Sequence, residues 1–323
     1  MSGKNIGIRD VAAAAGVSAT TVSHVLNDVA SARISPETRE RVRSAAGQLG
    51  YGPDSVARAL RTNRTTLLGL VVEDVGTSPH AGQIILGADD AARARGYNLL
   101  ILNTSGAAGP ESRESDVGSL LARRVDGILY APGRHRQLQP PANLASVPAV
   151  LLGSARSAGS IAAVIANDDD GVRAAADCLA AAGHTRIGFI GNTSDPDPGA
   201  HAAAARILAG VDRPTGLVCT DAAMVMGVYR AADELGLVIP ADLSVIALSD
   251  HDVLAENLAP ALTTVTVSRY EMAVRATDIL IDAIEEKTGP AVFKQHSAVF
   301  AWTLTARGSV APPGLSATPR GNF

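Results

Sequence analysis

From Leu67 onward, short and almost wholly apolar runs alternate with longer amphipathic stretches, and this alternation constrains the fold more than any other feature. The apolar runs are LLGLVVE, YNLLILN, DGILYAP and PAVLLGS, then AAVIAN, RIGFIGN, TGLVCTD and SVIALSD. Between most of them lie segments such as GADDAARARG, SLLARRV, GVRAAADCLAAAG, GAHAAAARILAG and VYRAADELG, which repeat small and apolar residues at helical spacing. Strands this apolar need cover on both faces, and parallel sheets with right-handed helical crossovers supply it. Two such blocks in succession predict two similar doubly wound lobes with a cleft between them. Parallel sheets place ligand sites outside the carboxyl ends of their strands, so two facing lobes make a small-molecule clamp.

The amino-terminal segment is built differently. Ile8 to Asn27 (IRDVAAAAGVSATTVSHVLN) reads as two short helices joined by a tight turn. Val11, Ala12, Ala15, Val17, Val22 and Val25 recur at helical spacing, so two faces can pack on each other. Gly16 falls where the turn needs a positive φ, and Ser18 stands at the N-cap of the second helix. Ala12 is small where the helices cross. Ala19, Thr20, Thr21, Ser23 and His24 are left outward on the second helix, a face suited to a DNA major groove. An ordinary Ala-rich hairpin shares this spacing, so the next segment matters. Ser35-Pro36-Glu37 is a capped helix start, Val42, Ala45, Ala46 and Leu49 form an apolar stripe, and Gly50 ends it. Arg39, Arg41 and Arg43 decorate that third helix, which closes a small core over the first two.

The charge divides where the pattern does. The net charge is −4, but residues 1–64 hold nine Lys/Arg against five Asp/Glu, hence +4, and residues 65–323 hold nineteen against twenty-seven, hence −8. A basic reader on an acidic regulatory body would show this asymmetry. No apolar run is long enough to span a bilayer and none follows a basic start, so no membrane partner is expected and the expected compartment is the cytoplasm. Cys178 and Cys219 lack pairing or metal-ligand spacing and read as ordinary buried thiols. The histidines are scattered, with no pair at i, i+4 and no accompanying nucleophile, and the glycines near Gly188 and Gly191 form no phosphate loop. Catalysis, a metal and a cofactor are therefore not expected.

Three motifs in order, IRDVAAAAGVSATTVSHVLN, ISPETRERVRSAAGQLGY and GPDSVARALRTNRT, resemble the headpiece of the lactose-repressor family of bacterial transcription regulators. LTTVTVSRYEMA and the late ARGS extend the resemblance to about Ser309. It implies a helix-turn-helix headpiece (1–52), a hinge helix and linker (53–65) and a periplasmic-binding-protein-like body (66–309). Chain crossings near Ser160, Val267 and His296 would give lobe 1 residues 66–160 and 268–295, and lobe 2 residues 161–267 and 296–309. It also implies that the hinge segment, with Val56, Ala57 and Leu60, orders on the operator centre and that Leu60 wedges into the minor groove. An apolar wedge can unstack one base step and bend the duplex. Packing residues of a linker would look the same in sequence.

The chain departs from this family in the second lobe. After RIGFIGN the family runs helix, strand, helix, whereas NTSDPDPGAHAAAARILAGVDRPTGLVCTD offers one helix, so one helix–strand unit is missing. In a sheet ordered 2-1-3-4-5 the lost strand is the edge one, leaving a new exposed edge. The Arg with which the family usually grips effector lies in the missing part. Other effector positions are altered: Ser78-Pro79-His80-Ala81 stands where the family often has Asn-Pro and two aromatics, and Asp221-Ala222 and Ser249-Asp250 stand where it has Asn-Asp and paired acids after second-lobe strands. Asn167-Asp168-Asp169-Asp170 reads chiefly as a helix-start cap, with Asp168 a candidate for the cleft. Aromatics make up only 3% of the chain, which weakens a familiar sugar pocket and leaves a different ligand, a weak one or none. Trp302, the sole tryptophan, reads as cover for a core edge near a crossing or as a ligand platform. Residues 310–323 read as a disordered tail without a heptad helix.

The expected function is sequence-specific transcription regulation, as a repressor. A homodimer would bind a near-palindromic double-stranded operator under a sugar-like effector. Ala19, Thr20 and His24 would read base edges, while Ser18, Thr21, Ser23 and Asn27 hold the phosphate register. The competing readings are a cytoplasmic solute-binding protein with a vestigial headpiece, an effector-independent DNA-binding regulator, and an enzyme on the α/β body.

Overall fold

The computed structural model describes residues 6–27, 32–51, 64–76, 80–105, 109–132, 140–154, 161–191, 199–220, 222–248, 252–286 and 298–314. The chain forms two compact units, Met1–Thr66 and Leu67–Phe323.

The first unit holds three helices, α1 (Ile8–Ala15), α2 (Ala19–Leu26) and α3 (Pro36–Leu49). Local chemistry sets each end. The Asp10 carboxylate accepts from the Gly7 N–H at 2.8 Å, and Gly16 closes α1 in the left-handed region at φ 66°. Ser18 Oγ accepts from the Thr21 N–H at 3.0 Å to open α2, and Ser35 does the same for α3 through Thr38 at 3.2 Å. Val11, Ala12, Ala15, Val22, Val25, Val42, Ala45 and Ala46 form the core, with Leu49 half-buried at its margin. Arg41 is not merely a surface charge: its Nε donates to the Ala15 carbonyl at 2.9 Å, satisfying the end of α1 from α3.

The second unit contains two sheets. The first has six parallel strands in the order β2-β1-β3-β4-β5-β10: β1 (Leu67–Glu73), β2 (Asn98–Thr104), β3 (Gly127–Ala131), β4 (Ala149–Ser154), β5 (Ala162–Ala166) and β10 (Ala298–Phe300). Helices α4 (Ala81–Ala94) and α10 (Arg269–Glu286) cover one face, and α5 (Pro110–Ala122) covers the other. Gly87 lets α4 and α10 meet closely, since a Cβ there would collide with the Tyr270 carbonyl oxygen. Arg95 joins the same pair of helices, donating to Asp282 at 2.9 Å and Glu285 at 2.6 Å.

The second sheet runs β6-β7-β8-β9-β11: β6 (Ile187–Ile190), β7 (Gly216–Cys219), β8 (Ser244–Ala247), β9 (Thr263–Thr266) and β11 (Thr303–Thr305). Its first four strands are parallel, and β11 pairs antiparallel with β9. Helix α6 (Asp168–Ala181) packs on one face, α7 (Ala200–Leu208) and α8 (Ala222–Glu234) on the other, and α9 (Asp252–Asn257) follows β8. Among the described residues, α7 alone connects β6 to its neighbour β7, as the missing helix–strand unit requires. Strand β6 is consequently the edge, and Phe189 (52% exposed) and Ile187 (37%) stand uncovered on it.

Three boundaries differ from the sequence expectation. Strand β5 lies in the first sheet, not the second, because Val150↔Ala162 through Ser154↔Ala166 pair it with β4. The first crossing is thus at Asn167 and not near Ser160. Strand β10 is in the first sheet and β11 in the second, which moves the third crossing from His296, outside the described residues, to Ala301-Trp302. The second crossing falls at Val267-Ser268, between β9 and α10. Residues 310–313 are also held, not a loose tail: Val310 packs against the α6-side core, and the Ala311 N–H donates to Ser244 Oγ at 3.0 Å. His184 anchors that segment from its two ring nitrogens, 2.9 Å from Thr215 Oγ1, 3.0 Å from Ser244 Oγ and 2.9 Å from the Ala311 carbonyl.

All three crossings leave a carboxyl end of one sheet and enter the other lobe, since β5 runs into α6, β9 into α10 and β10 into β11. The carboxyl ends of the two sheets therefore face each other across the connecting segments, where α/β sheets carry their ligands.

Candidate functional site

Helix α2 is anchored by Val22 and Val25, both fully buried, which fixes the orientation of its remaining residues. Thr20 is exposed, and Thr21, Ser23, His24 and Asn27 are half-buried along the solvent side. Ala19 is more enclosed than the sequence suggested, resting partly on the headpiece core. The hydroxyls of Ser18 and Thr21 lie 2.9 Å apart, so the cap is already hydrogen-bonded within the protein. Asn27 Nδ2 donates to the Ser23 carbonyl at 2.7 Å and holds the end of the helix. The amino end of α2 carries the partial positive charge of a helix N-terminus, and Thr20 and His24 are hydrogen-bonding groups on the side away from Val22 and Val25. Val56, Ala57 and Leu60 lie outside the described residues.

In the body, two candidate effector residues are placed. His80 is buried just before α4, and Asp168 is half-buried as the first residue of α6, beside the first crossing. Asn167 makes no side-chain cap bond; the three acids that follow it lie in the first turn of α6, where the helix dipole favours them. Ser78, Asp221, Ser249 and Asp250 lie outside the described residues.

Sequence reasoning missed a charged group in the first lobe. Glu73, at the carboxyl end of β1, pairs with Arg113 of α5 at 3.3 Å, and both are buried. The Tyr130 hydroxyl and Thr104 Oγ1 are buried in the same lobe without a hydrogen-bond partner. Burial pushes the Tyr130 phenol up to about 12, which Arg113 partly opposes. Thr104 is the direct register partner of Glu73, and Tyr130 that of Val71, so these groups cluster toward the carboxyl edge of the sheet. Within ESRES, an arginine on a polar helix reads as solvated; in the fold it meets the acid at the end of β1.

Cys219 is buried in the second-lobe core, whereas Cys178 is half-buried, with its thiol pushed up by desolvation. Among the described residues, no group of three or more His, Cys, Asp or Glu could hold a metal ion. No helix there is long and apolar enough to cross a membrane.

Comparison with known proteins agrees with this arrangement. Residues 7–54 match the model for bacterial regulatory proteins of the lacI family, and residues 65–201 that for periplasmic binding proteins and the sugar-binding domain of the LacI family. Residues 173–310 match a periplasmic-binding-protein-like domain. The chain is 31% identical to the HTH-type transcriptional repressor PurR of Pectobacterium carotovorum (strain PC1), over 94% of this chain and 96% of that protein. It is 30% identical to the repressor of the same name from Vibrio vulnificus, over 90% and 95%. Among solved structures, the Lac repressor dimer bound to operator and the anti-inducer ONPF matches with a TM-score of 0.80 at 25% identity, covering 95% of this chain and all of that one. A complex of the transcriptional regulator CelR with cellobiose matches at 0.63 and 26%, covering 94% and all. With its headpiece, its two-lobed body and nearly full-length relatives all in agreement, the chain belongs to the lacI family of bacterial regulatory proteins.

Proposed function

We propose that this protein is a sequence-specific DNA-binding transcriptional repressor that acts in the cytoplasm as a homodimer on a near-palindromic operator and responds to a small molecule held between its lobes. The observation that carries the reading is helix α2, capped by Ser18, anchored through Val22 and Val25, and turning Thr20 and His24 outward. A basic headpiece on an acidic body supports it, as do relatives that are themselves repressors. Thr20 and His24, with Ala19 against a thymine methyl, read base edges; Ser18, Thr21, Ser23 and Asn27 with nearby backbone set the register on phosphates. Leu60, with Val56 and Ala57 before it in the hinge segment, opens the central base step and lets both headpieces reach their half-sites.

The opposed carboxyl edges of the two sheets form the small-molecule site, with His80 and Asp168 at its rim; Ser78, Asp221, Ser249 and Asp250, which lie outside the described residues, are the further candidates for it. One solved relative is a complex with cellobiose and another is bound to the anti-inducer ONPF, and a polar effector of the size of a disaccharide fits a clamp of this kind. Closing the lobes on it shifts the spacing of the two headpieces and so the affinity for DNA. No enzymatic step is assigned to these residues.

In vitro selection from random duplexes tests the reading, repeated with a panel of sugars and purines. Enrichment of a symmetric site bound by a dimer is the expected result. Equal binding to all duplexes at moderate salt, or a protein that remains monomeric, overturns it.

A further inference from the structure

The polypeptide passes between the lobes three times, and one side chain touches all three passages. Trp302 forms the third crossing, between β10 and β11. Its indole Nε1 donates to the Asn167 carbonyl, at the first crossing, over 2.8 Å. The Arg269 guanidinium, on the residue immediately after the second crossing and itself buried, lies 5.9 Å from the centre of the indole ring. The ring packs against the cores of both lobes. Its seat is cut to shape, because a Cβ at Gly171 would lie 2.7–3.1 Å from three of its atoms.

We propose that Trp302 is the pin about which the lobes turn, a positioning residue that sets the population of lobe arrangements and hence the affinity for operator. The proposal rests on the repressor reading above. Covalent connections alone leave a bundle of three segments free to bend, since a hinge is wherever a few residues absorb the φ/ψ change. Here a rigid bicyclic ring is hydrogen-bonded to one segment, stacked under a cation from the second and covalently part of the third. A change in lobe angle must therefore disturb the N–H bond, the cation contact or the Gly171 seat. Asn167 immediately precedes Asp168, so the first turn of α6 moves with the indole acceptor. A ligand gripping that turn acts on the same equilibrium as the headpieces do, and whichever arrangement the pin favours is the one it populates.

The ring is also its own reporter, because the chain has a single tryptophan. The full-length protein is titrated with a duplex obtained by selection and, separately, with a scrambled duplex of equal length, exciting at 295 nm. The emission spectrum is expected to change with the selected duplex, saturating at the affinity found by gel shift, and to stay constant with the scrambled one. Two variants accompany it. Trp302→Phe removes the N–H donor while keeping an aromatic ring, and Gly171→Ala leaves tryptophan in place but fills its seat. Each is expected to bind the scrambled duplex as the wild type does, yet to shift the selected-to-scrambled affinity ratio by about fivefold or more, the size of a typical coupling between sites. A merely structural role would weaken both affinities together or neither. Unchanged emission at saturating selected duplex, or a wild-type ratio in every variant that folds, overturns the proposal while leaving the repressor reading intact. Failure to select any duplex overturns that reading and the proposal with it.

Discussion

Arg113 directs Nε and a terminal guanidinium nitrogen at a single oxygen of Glu73, each at 3.3 Å, with side-chain exposures of 4% and 3%. The pair ties α5 to the carboxyl end of β1, at the edge of the sheet that faces the second lobe. Two charges taken this far out of water are held by each other and by their neighbours, and the desolvation cost absorbs much of their attraction. Their value to the fold is thus asymmetric. Keeping both or losing both changes little, whereas keeping one strands a charge.

Arg113→Met is accordingly expected to cost about 3–5 kcal/mol of body stability, because Glu73 is left buried without its main counter-ion. The double variant Glu73→Leu with Arg113→Met recovers most of that loss. Urea unfolding followed by far-UV circular dichroism measures both. Equal destabilisation in the single and double variants would show that the pair stabilises the lobe by its own attraction.

Tyr130 gives a pH-dependent prediction. Its phenol is raised to about 12 in the fold by burial, against an ordinary value near 10 when unfolded. A neutral acid whose folded pKa is raised contributes fully below the unfolded pKa, and the contribution drains away as pH rises toward the folded one. The wild type therefore loses stability between about pH 10 and 12 through this group. Tyr130→Phe also removes a buried hydroxyl that has no partner, an arrangement that costs about 1–3 kcal/mol. The variant should be at least as stable at neutral pH and should resist alkali better, as thermal melts across that range would record. A variant less stable at pH 7 would mean that the hydroxyl is satisfied in solution.

Two glycine substitutions test packing against helix propensity. Gly87→Ala forces a methyl against the Tyr270 carbonyl, and because the obstacle is backbone the two helices must part, at a cost of about 1–3 kcal/mol. Gly47 has nothing within 4 Å of its ideal Cβ and is exposed near the end of α3. Gly47→Ala should stabilise the headpiece by up to about 1 kcal/mol. Calorimetry of the full-length protein would read the two in opposite directions.

The contrast between these sites shows what a sequence can disclose. Gly16, Ser18, Ser35 and Gly50 were readable because a cap is settled within one turn of its own residue. The order of the second sheet was readable too, since losing an edge strand leaves one way to join β6 to β7 with the favoured hand. AAVIA reads as a second-lobe strand from sequence but lies in the first sheet, because a strand buried on both faces has the same composition in either lobe; pairing with β4 and β10 decides, and no local signal carries it. Arg113 and His184 are silent in the sequence for a related reason. A charge on a polar helix and a histidine in a turn become informative only once Glu73 or Ala311 arrives from elsewhere in the chain. Of the effector candidates, His80 and Asp168 are among the described residues, and Ser78, Asp221, Ser249 and Asp250 are not.

The sharpest test concerns α2. Thr20 is exposed and His24 half-exposed on the side opposite Val22 and Val25, with the half-buried Ala19 beside them, so exchanging the three leaves the fully buried anchors intact. Replacing Ala19, Thr20 and His24 together with the residues of another family member should redirect the duplex recovered by selection. Each mismatched base contact is worth about 1–3 kcal/mol of discrimination. The slope of log affinity against log salt should stay as it is, because that slope counts phosphate contacts, and Ser18, Thr21, Ser23 and Asn27 are untouched. A changed preference with an unchanged slope separates reading from gripping on one short helix. If the selected sequence instead stays the same, sequence is read by some other part of the chain, and α2 only holds the phosphates.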